Sequence, residues 1–155
     1  MRSRLLHVAF VLLFLMLTVP SFGQDTQTQD SEAVQQRRAA AMGLIRTINT
    51  VEATYHSERG SYAGWDLLVT TQQFEAPRVA QRMARYYQLP TNTQFTNGPE
   101  ILPGLFLRLN VTINGQAYDL MLQEKPDACS FVAFTNESGV IWLAKALGRE
   151  SDKKN

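Results

Sequence analysis

The sequence predicts an α+β domain, in which a long amphipathic helix packs on an antiparallel sheet of about four strands and a short second helix completes the layer. Two periodicities carry this prediction. Apolar residues recur at spacings of three, four and seven over residues 32–59, which is the period of a helix. From residue 105 they alternate with polar residues, which is the period of a half-buried strand. Because the helix and the sheet each have one apolar face, laying the helix across the sheet buries both.

The N-terminal segment has the three parts of a secretory signal peptide. Arg2 and Arg4 supply a positive start, residues 5–19 are predominantly apolar, and small residues ending at Gly23 suit a signal peptidase. The apolar run is shorter than the ~20 residues needed to cross a bilayer core. We therefore predict that residues 1–23 are a cleaved signal peptide, with a retained anchor as the alternative. The mature protein is then expected to be periplasmic or extracellular and to have no membrane span.

The charge balance argues against a nucleic-acid-binding protein, and the cysteine content argues against a fold stabilised by disulfides. Cleavage after residue 23 removes two arginines and no acid, which changes the net charge from +1 to about −1. Nucleic-acid binding normally requires a basic face and is not expected here. Cys129 is the only cysteine, so an intrachain disulfide is impossible. We predict that it is a small buried residue in a strand, with an intermolecular bridge or a reactive thiol as the alternatives.

A polar, flexible leader at residues 24–30 is predicted to precede the long helix. Asp30 or Ser31 is suited to cap that helix. Gly43 lies inside the helical pattern at a cost of ~1 kcal/mol relative to Ala, and indicates either close packing or a bend. Gly60 ends the helix, because glycine readily adopts the left-handed conformation. The apolar positions form one stripe along the helix: Val34, Ala41, Leu44, Ile45, Ile48, Val51 and Tyr55.

Three segments separate this helix from the sheet. Residues 61–65 are predicted to be an aromatic loop, and residues 76–88 a second helix with Pro77 in its first turn. Three arginines recur along one side of that helix, where a solvated face is the expected outcome. Residues 91–103 are rich in Thr, Asn, Pro and Gly and are predicted to be a loop.

Four strands joined by turns complete the domain, which is predicted to span residues 31–148. A charged tail is expected at residues 149–155. The Asn114-Gly115 pair is a strong signal for a two-residue hairpin turn. The residues predicted to face one side of the first strand are Leu105, Leu107, Leu109, Val111 and Ile113. The predicted strands cover residues 105–113, 116–123, 130–135 and 140–144, with further turns at 125–127 and 136–139.

Two motifs stand out in the sequence. The second is FTNESGVIW at residues 134–142. The first is carried by Ile45, Arg46, Thr47, Ile48, Asn49, Thr50 and Tyr55, followed by Gly60 and Tyr62. Together these motifs resemble the globular part of type IV pilins and type II secretion pseudopilins, in which a strand turn like the second motif lies near the end of the chain. The resemblance covers roughly residues 46–65 and 118–143, and it implies the pilin-like fold of a long helix on an antiparallel sheet.

The N-terminus departs from the pilin pattern. Pilins carry an apolar helix directly after the glycine at which their leader is cut, and an acidic residue at the fifth mature position. Here Gly23 is followed by the polar residues Gln24 and Asp25, and neither feature has a counterpart. The chain is therefore similar to a pilin-like globular domain placed behind a general secretory signal.

The resemblance implies an exported, non-enzymatic accessory or adaptor of a type II secretion or type IV pilus-like system. Its partners would be pilins, pseudopilins or secretion-channel subunits. Because pilin-like domains contact neighbours through the helix face and the sheet edge, the expected contact residues are Arg37, Arg38, Arg46 and Trp142. The alternative is a stand-alone ligand-binding module, with a groove between the second helix and the sheet near Trp65 and Tyr86.

Catalysis and cofactor binding are not expected. After cleavage, His56 and Cys129 would be the only tempting nucleophilic pair, but a catalytic dyad needs the two to meet and a third group to orient the histidine, and no such motif is present. Scattered acids near the last strands, such as Asp127 and Glu137, are expected to be turn residues rather than calcium ligands. No metal and no cofactor are predicted.

Overall fold

The computed structural model describes residues 25–125 and 130–145. The chain divides into two compact units, Met1–Glu32 and Ala33–Asn155, and the site described below lies entirely in the second. The predictions of a signal peptide at residues 1–23, of a tail at residues 149–155, and of a buried Cys129 fall outside the described residues.

Three helices and five strands are described. The long helix α1 and the helix α3 correspond to the two predicted helices, and α2 is a single turn in the aromatic region. The elements are α1 (Asp25–Arg59), α2 (Trp65–Leu68), α3 (Ala76–Tyr86), β1 (Glu100–Leu102), β2 (Leu105–Val111), β3 (Tyr118–Glu124), β4 (Phe131–Asn136) and β5 (Trp142–Lys145).

The helix α1 buries the apolar stripe that its period predicts. Its most buried apolar side chains are Ala41, Leu44, Ile45, Ile48 and Val51, each at most 5% exposed. The helix begins at Asp25, inside the segment predicted to be a leader. Neither Pro nor Gly occurs between residues 24 and 42, so nothing in that segment interrupts a helix that already extends to residue 59.

The five strands form one antiparallel sheet in chain order, β1-β2-β3-β4-β5. The prediction of about four strands missed β1, which lies in the segment predicted to be a loop. In β1, Ile101 and Leu102 are both fully buried, and Leu102 pairs with Leu105 across a Pro103-Gly104 turn. A three-residue strand is too short to show an alternating period, and the turn-forming residues around it conceal it.

The β2–β3 hairpin is longer at its tip than predicted. The strand β2 ends at Val111, and Ile113 is fully exposed, so its predicted place on the buried face is wrong. The Thr112 amide donates to the Ala117 carbonyl (2.9 Å), and the Gly115 amide donates to the Thr112 carbonyl (2.8 Å). The loop therefore takes in residues 113–116 rather than the Asn114-Gly115 pair alone.

The core lies between α1, α3 and one face of the sheet. Alternate residues of the middle strands point into it, including Leu107, Leu120, Leu122 and Ala133. The helix α3 adds Val79 and Met83. The molecule is an α+β protein in which a helix packs against a five-stranded antiparallel sheet. In the part of the chain that the structure describes, no helix is both long and apolar enough to cross a membrane.

Candidate functional site

The sheet face that points away from the core carries a row of large side chains across four strands. Arg108 of β2 is paired with Met121 of β3, Met121 with Phe134 of β4, and Phe134 with Trp142 of β5. Trp142 is 50% exposed and Phe134 is 40% exposed. We call these four residues the outer row. Directly opposed residues of neighbouring strands are in side-chain contact range, so the outer row is one continuous surface.

The outer row lines a shallow hollow of about 270 Å³. The next row of the same face supplies its polar wall, where Asn110 pairs with Asp119 and Asp119 pairs with Asn136. Aromatic, Met and Arg side chains are the types enriched at protein interfaces, and polar groups commonly form the rim. The arrangement therefore suits contact with another protein surface better than it suits catalysis.

The turn before β5 places Trp142 on this face. The Gly139 amide donates to the Asn136 carbonyl (2.9 Å), and Gly139 has a φ of +73°, which favours glycine. The Asn136 side chain also accepts from the Ser138 amide (3.1 Å) and hydroxyl (2.6 Å). This predicted turn is confirmed, and it reverses the chain so that β5 forms an edge of the sheet beside β4.

Arg37, one of the predicted contact residues, is partly buried and holds two elements together. Its guanidinium lies 4.0 Å from the Glu124 carboxylate of β3. The Tyr87 hydroxyl, just after α3, donates to the same carboxylate (2.8 Å). Burial and then the Glu124 charge raise the pKa of Tyr87, so this phenol stays protonated as the donor. Arg37 therefore makes a contact within the protein, with Glu124.

The other predicted contact residues do not share one surface. Arg38 and Arg46 are exposed on α1. Arg38 lines a groove of about 350 Å³ together with Phe131 and Leu143, on the core side of the sheet edge. Trp142 lies on the opposite face, in the outer row. The structure therefore separates the arginines of the helix from the tryptophan of the last strand.

The two residues of the predicted ligand groove are also apart. Trp65 is only 8% exposed, and its indole N–H donates to the Thr96 carbonyl (2.8 Å). Its ring lies 5.4 Å from the rings of both Phe74 and Phe95, in edge-to-face contacts. These aromatic neighbours bury Trp65 in a packed cluster, so it is a core residue rather than a groove wall.

Tyr86 lines a cleft between α1 and α3, not one between a helix and the sheet. The cleft has a volume of about 320 Å³. Its walls are mostly apolar, with Gly43 and Leu44 of α1 facing Val79 and Met83 of α3. The cleft at Tyr86 is therefore formed by two helices, whereas the predicted groove lay between the second helix and the sheet.

The most unusual polar group in the described chain is Glu52, which is fully buried in the middle of α1. The Ala63 amide donates to its Oε2 (2.9 Å), while its Oε1 accepts no hydrogen bond from the described residues. Burial raises the pKa of Glu52 from 4.5 to about 7, and the Ala63 hydrogen bond offsets part of this effect. A neutral carboxyl is therefore the form that the fold favours.

A chain of hydrogen bonds beside Glu52 joins α1 to the sheet. The Tyr118 hydroxyl donates to the Asn49 side-chain oxygen (3.0 Å), and the Asn49 amide donates to the Thr135 hydroxyl (3.0 Å). Burial and then the charge of Glu52 raise the pKa of Tyr118. Asn49 thus bridges β3 and β4, one turn of helix away from the carboxyl.

The aromatic loop after α1 is fixed against the β2–β3 hairpin. The Tyr62 amide donates to the Gly115 carbonyl (2.8 Å), and the Gln116 side chain donates to the Gly60 carbonyl (2.7 Å). The Tyr62 ring stacks on His56 (4.4 Å between centroids). These contacts, with the Glu52–Ala63 bond, give the loop motif a structural role.

Glu52 was not among the residues predicted from the sequence, although a signal was present. It follows Ile45 and Ile48 at the spacings of seven and four that define the buried stripe. An acid on an apolar stripe indicates a buried carboxyl. The outer row had no comparable signal, because strand register decides which residues lie side by side.

Comparison with known proteins gives no relative. No protein-family model matches the chain, and neither a curated protein nor a solved structure does. Within residues 25–125 and 130–145, no three His, Cys, Asp or Glu side chains come together as a metal site would require.

Proposed function

We propose that this chain is an exported, non-enzymatic adaptor of pilin-like fold, which acts by protein–protein contact in a type II secretion or type IV pilus-like system. Its partner is a folded pilin, pseudopilin or channel subunit that docks on the outer row. The single observation that supports this most strongly is the continuous row Arg108, Met121, Phe134 and Trp142, in which Met121 is partly exposed and the other three are exposed.

The chemistry of this row favours a protein partner. Trp and Arg are the residue types that most often dominate binding energy at interfaces, and they do so when neighbouring side chains exclude water from them. Trp142 has Phe134 beside it, while Arg108 lies at the other end of the row. Arg37 is then secondary, since it contacts Glu124.

A second candidate function is a ligand-binding module, and one observation favours it. The cleft between α1 and α3 has a volume within the usual range of small-molecule sites, about 300–1,000 Å³. It lies on the helical side of the molecule, so the two functions use different surfaces.

The adaptor function is tested by capture of partners from native cells. The full chain, tagged and crosslinked in its own cell envelope, should recover secretion or pilus subunits, as read by mass spectrometry. Trp142→Ala should reduce this recovery at least tenfold, because an interface tryptophan that dominates binding commonly contributes about 2 kcal/mol or more.

Leu143→Ala is the matched control. Leu143 is the next residue of the same strand, is 61% exposed, and points to the other face. It should leave recovery within about twofold. Equal recovery by wild type and Trp142→Ala, or recovery of no such subunit by wild type, would contradict the adaptor proposal.

A further inference from the structure

We propose that the cleft between α1 and α3 binds a small amphipathic anion, with its apolar part along Gly43, Leu44 and Met83 and its anionic group at Arg82. This inference deepens the second candidate function, on which it rests. It is independent of the adaptor proposal, since none of the cleft residues belongs to the sheet.

Gly43 is the first observation that carries the proposal. Glycine inside a helix is unfavourable relative to alanine, so a structural reason for it is expected. Close packing is not that reason, because a Cβ placed on Gly43 would meet nothing within 4 Å. Gly43 lines the cleft, so the missing side chain leaves open space that the described residues do not fill.

The distribution of charge is the second observation. Of the residues that line the cleft, Arg82 is the one that carries a full charge, and it is exposed at the cleft's edge. Among the described residues, it makes no ion pair within 4.0 Å, whereas Arg78 on the same helix is paired with Glu75 at 2.9 Å. An arginine at the mouth of an apolar cleft is suited to a carboxylate, sulfate or phosphate group.

The dimensions of the cleft favour an elongated apolar part. On α1 the lining extends from Gln36 to Thr47, which corresponds to roughly 16 Å at 1.5 Å per residue. The walls are mainly aliphatic, and Tyr86 adds a ring that is 42% exposed. An unbranched chain with a terminal anion fills such a groove and reaches Arg82 with its charged end.

Binding of three matched probes to the purified full chain tests the proposal. Decanoate, decylammonium and decyl maltoside share one tail and differ in the charge of the head group. Each is titrated below its micelle concentration by calorimetry. Decanoate should bind at least tenfold more tightly than either of the others.

Two substitutions locate the binding. Arg82→Gln should weaken decanoate binding about tenfold, the effect of losing one charge-assisted hydrogen bond. Arg85→Gln, on the same helix but outside the cleft lining, is the matched control and should change it less than twofold. Gly43→Leu fills the open space and should abolish binding.

Gly43→Ala distinguishes two causes of lost binding, which are filling of the cleft and damage to the fold. Alanine favours helix more than glycine does, so this variant should raise the melting temperature while weakening decanoate binding. A lowered melting temperature would mean that Gly43 is needed for packing, which would overturn the proposal.

The remaining outcomes also decide the question. Equal affinity for all three probes would overturn the anion assignment and leave the second candidate function standing. No binding of any probe would overturn the proposed amphipathic ligand, while the second candidate function would still allow a ligand of another class. Decanoate binding that survives Gly43→Leu would place the ligand elsewhere and would overturn the proposed site.

Discussion

At the scale of single residues, Glu52 has the clearest energetic consequence. A carboxyl that is buried with one oxygen unpartnered is costly to ionise, and its raised pKa of about 7 reflects that cost. Among the described residues, the one hydrogen bond that stabilises the charged form is donated by the amide of Ala63. The stability of the fold should therefore depend on pH through this residue.

The direction of that dependence follows from the two protonation states. Below pH 4.5, Glu52 is protonated in both the folded and the unfolded chain, and its charge imposes no penalty. As the pH rises to about 7, the unfolded chain has lost the proton that the folded chain keeps, so this contribution to stability falls. Above pH 7 the loss is complete and amounts to about 3 kcal/mol.

Glu52→Gln should remove this pH dependence. The glutamine oxygen can still accept from the Ala63 amide, and the side chain has no charge to bury. We expect the variant to match wild type near pH 4.5 and to exceed its free energy of unfolding by about 3 kcal/mol at pH 8. Urea unfolding at a series of pH values measures this difference.

Glu58→Gln is the matched control for that experiment, because Glu58 is an exposed glutamate on the same helix. It should leave the pH profile of wild type unchanged. A Glu52→Gln variant that is no more stable than wild type at pH 8 would show that Glu52 is ionised in the folded chain at no cost.

At the scale of elements, β1 is the part of the sheet that depends most on a single turn. It is three residues long and is held to β2 across Pro103 and Gly104. Gly104 has a φ of +79°, a backbone conformation that residues other than glycine rarely adopt. Its amide donates to the Glu100 carboxylate (2.8 Å). The burial of Ile101 and Leu102 therefore depends on that turn.

Gly104→Ala should destabilise the protein by about 1 kcal/mol, because alanine is strained in the left-handed conformation. The measurement is the midpoint of urea unfolding, together with hydrogen exchange at the Leu107 amide, which donates to the Pro99 carbonyl. Gly98→Ala is the control, since its Cβ would meet only ordinary contacts and its φ is not positive. Equal unfolding midpoints for the two variants would contradict a structural role for β1.

At the scale of the whole molecule, the architecture could be predicted because it depends on the regular spacing of apolar residues along the chain. The helical stripe from Ala41 to Val51 and the alternation from Leu105 to Val111 are both properties of neighbouring positions in the chain. The strand β1 could not be predicted, because three residues between turn formers show no period. The helix start at Asp25 was missed for a related reason, since a polar composition alone does not distinguish a flexible leader from a helical segment.

The candidate sites were less predictable, because they depend on contacts between distant segments. Trp142 was expected to contact a partner, and it is 50% exposed. Its neighbours Arg108, Met121 and Phe134 are set by strand register, which no local pattern fixes. Arg37 was predicted to face a partner and instead contacts Glu124, 87 positions along the chain.

The most direct test of the central proposal is to place a photo-crosslinking amino acid on each of the two candidate faces. Met121 of the outer row and Arg46 of the exposed helix face are replaced in turn by p-benzoylphenylalanine in the full chain, and native cells are irradiated. The proposal predicts crosslinks to a pilin, pseudopilin or channel subunit from position 121 and none from position 46. Crosslinks to such a subunit from position 46 alone, or none from position 121, would contradict it.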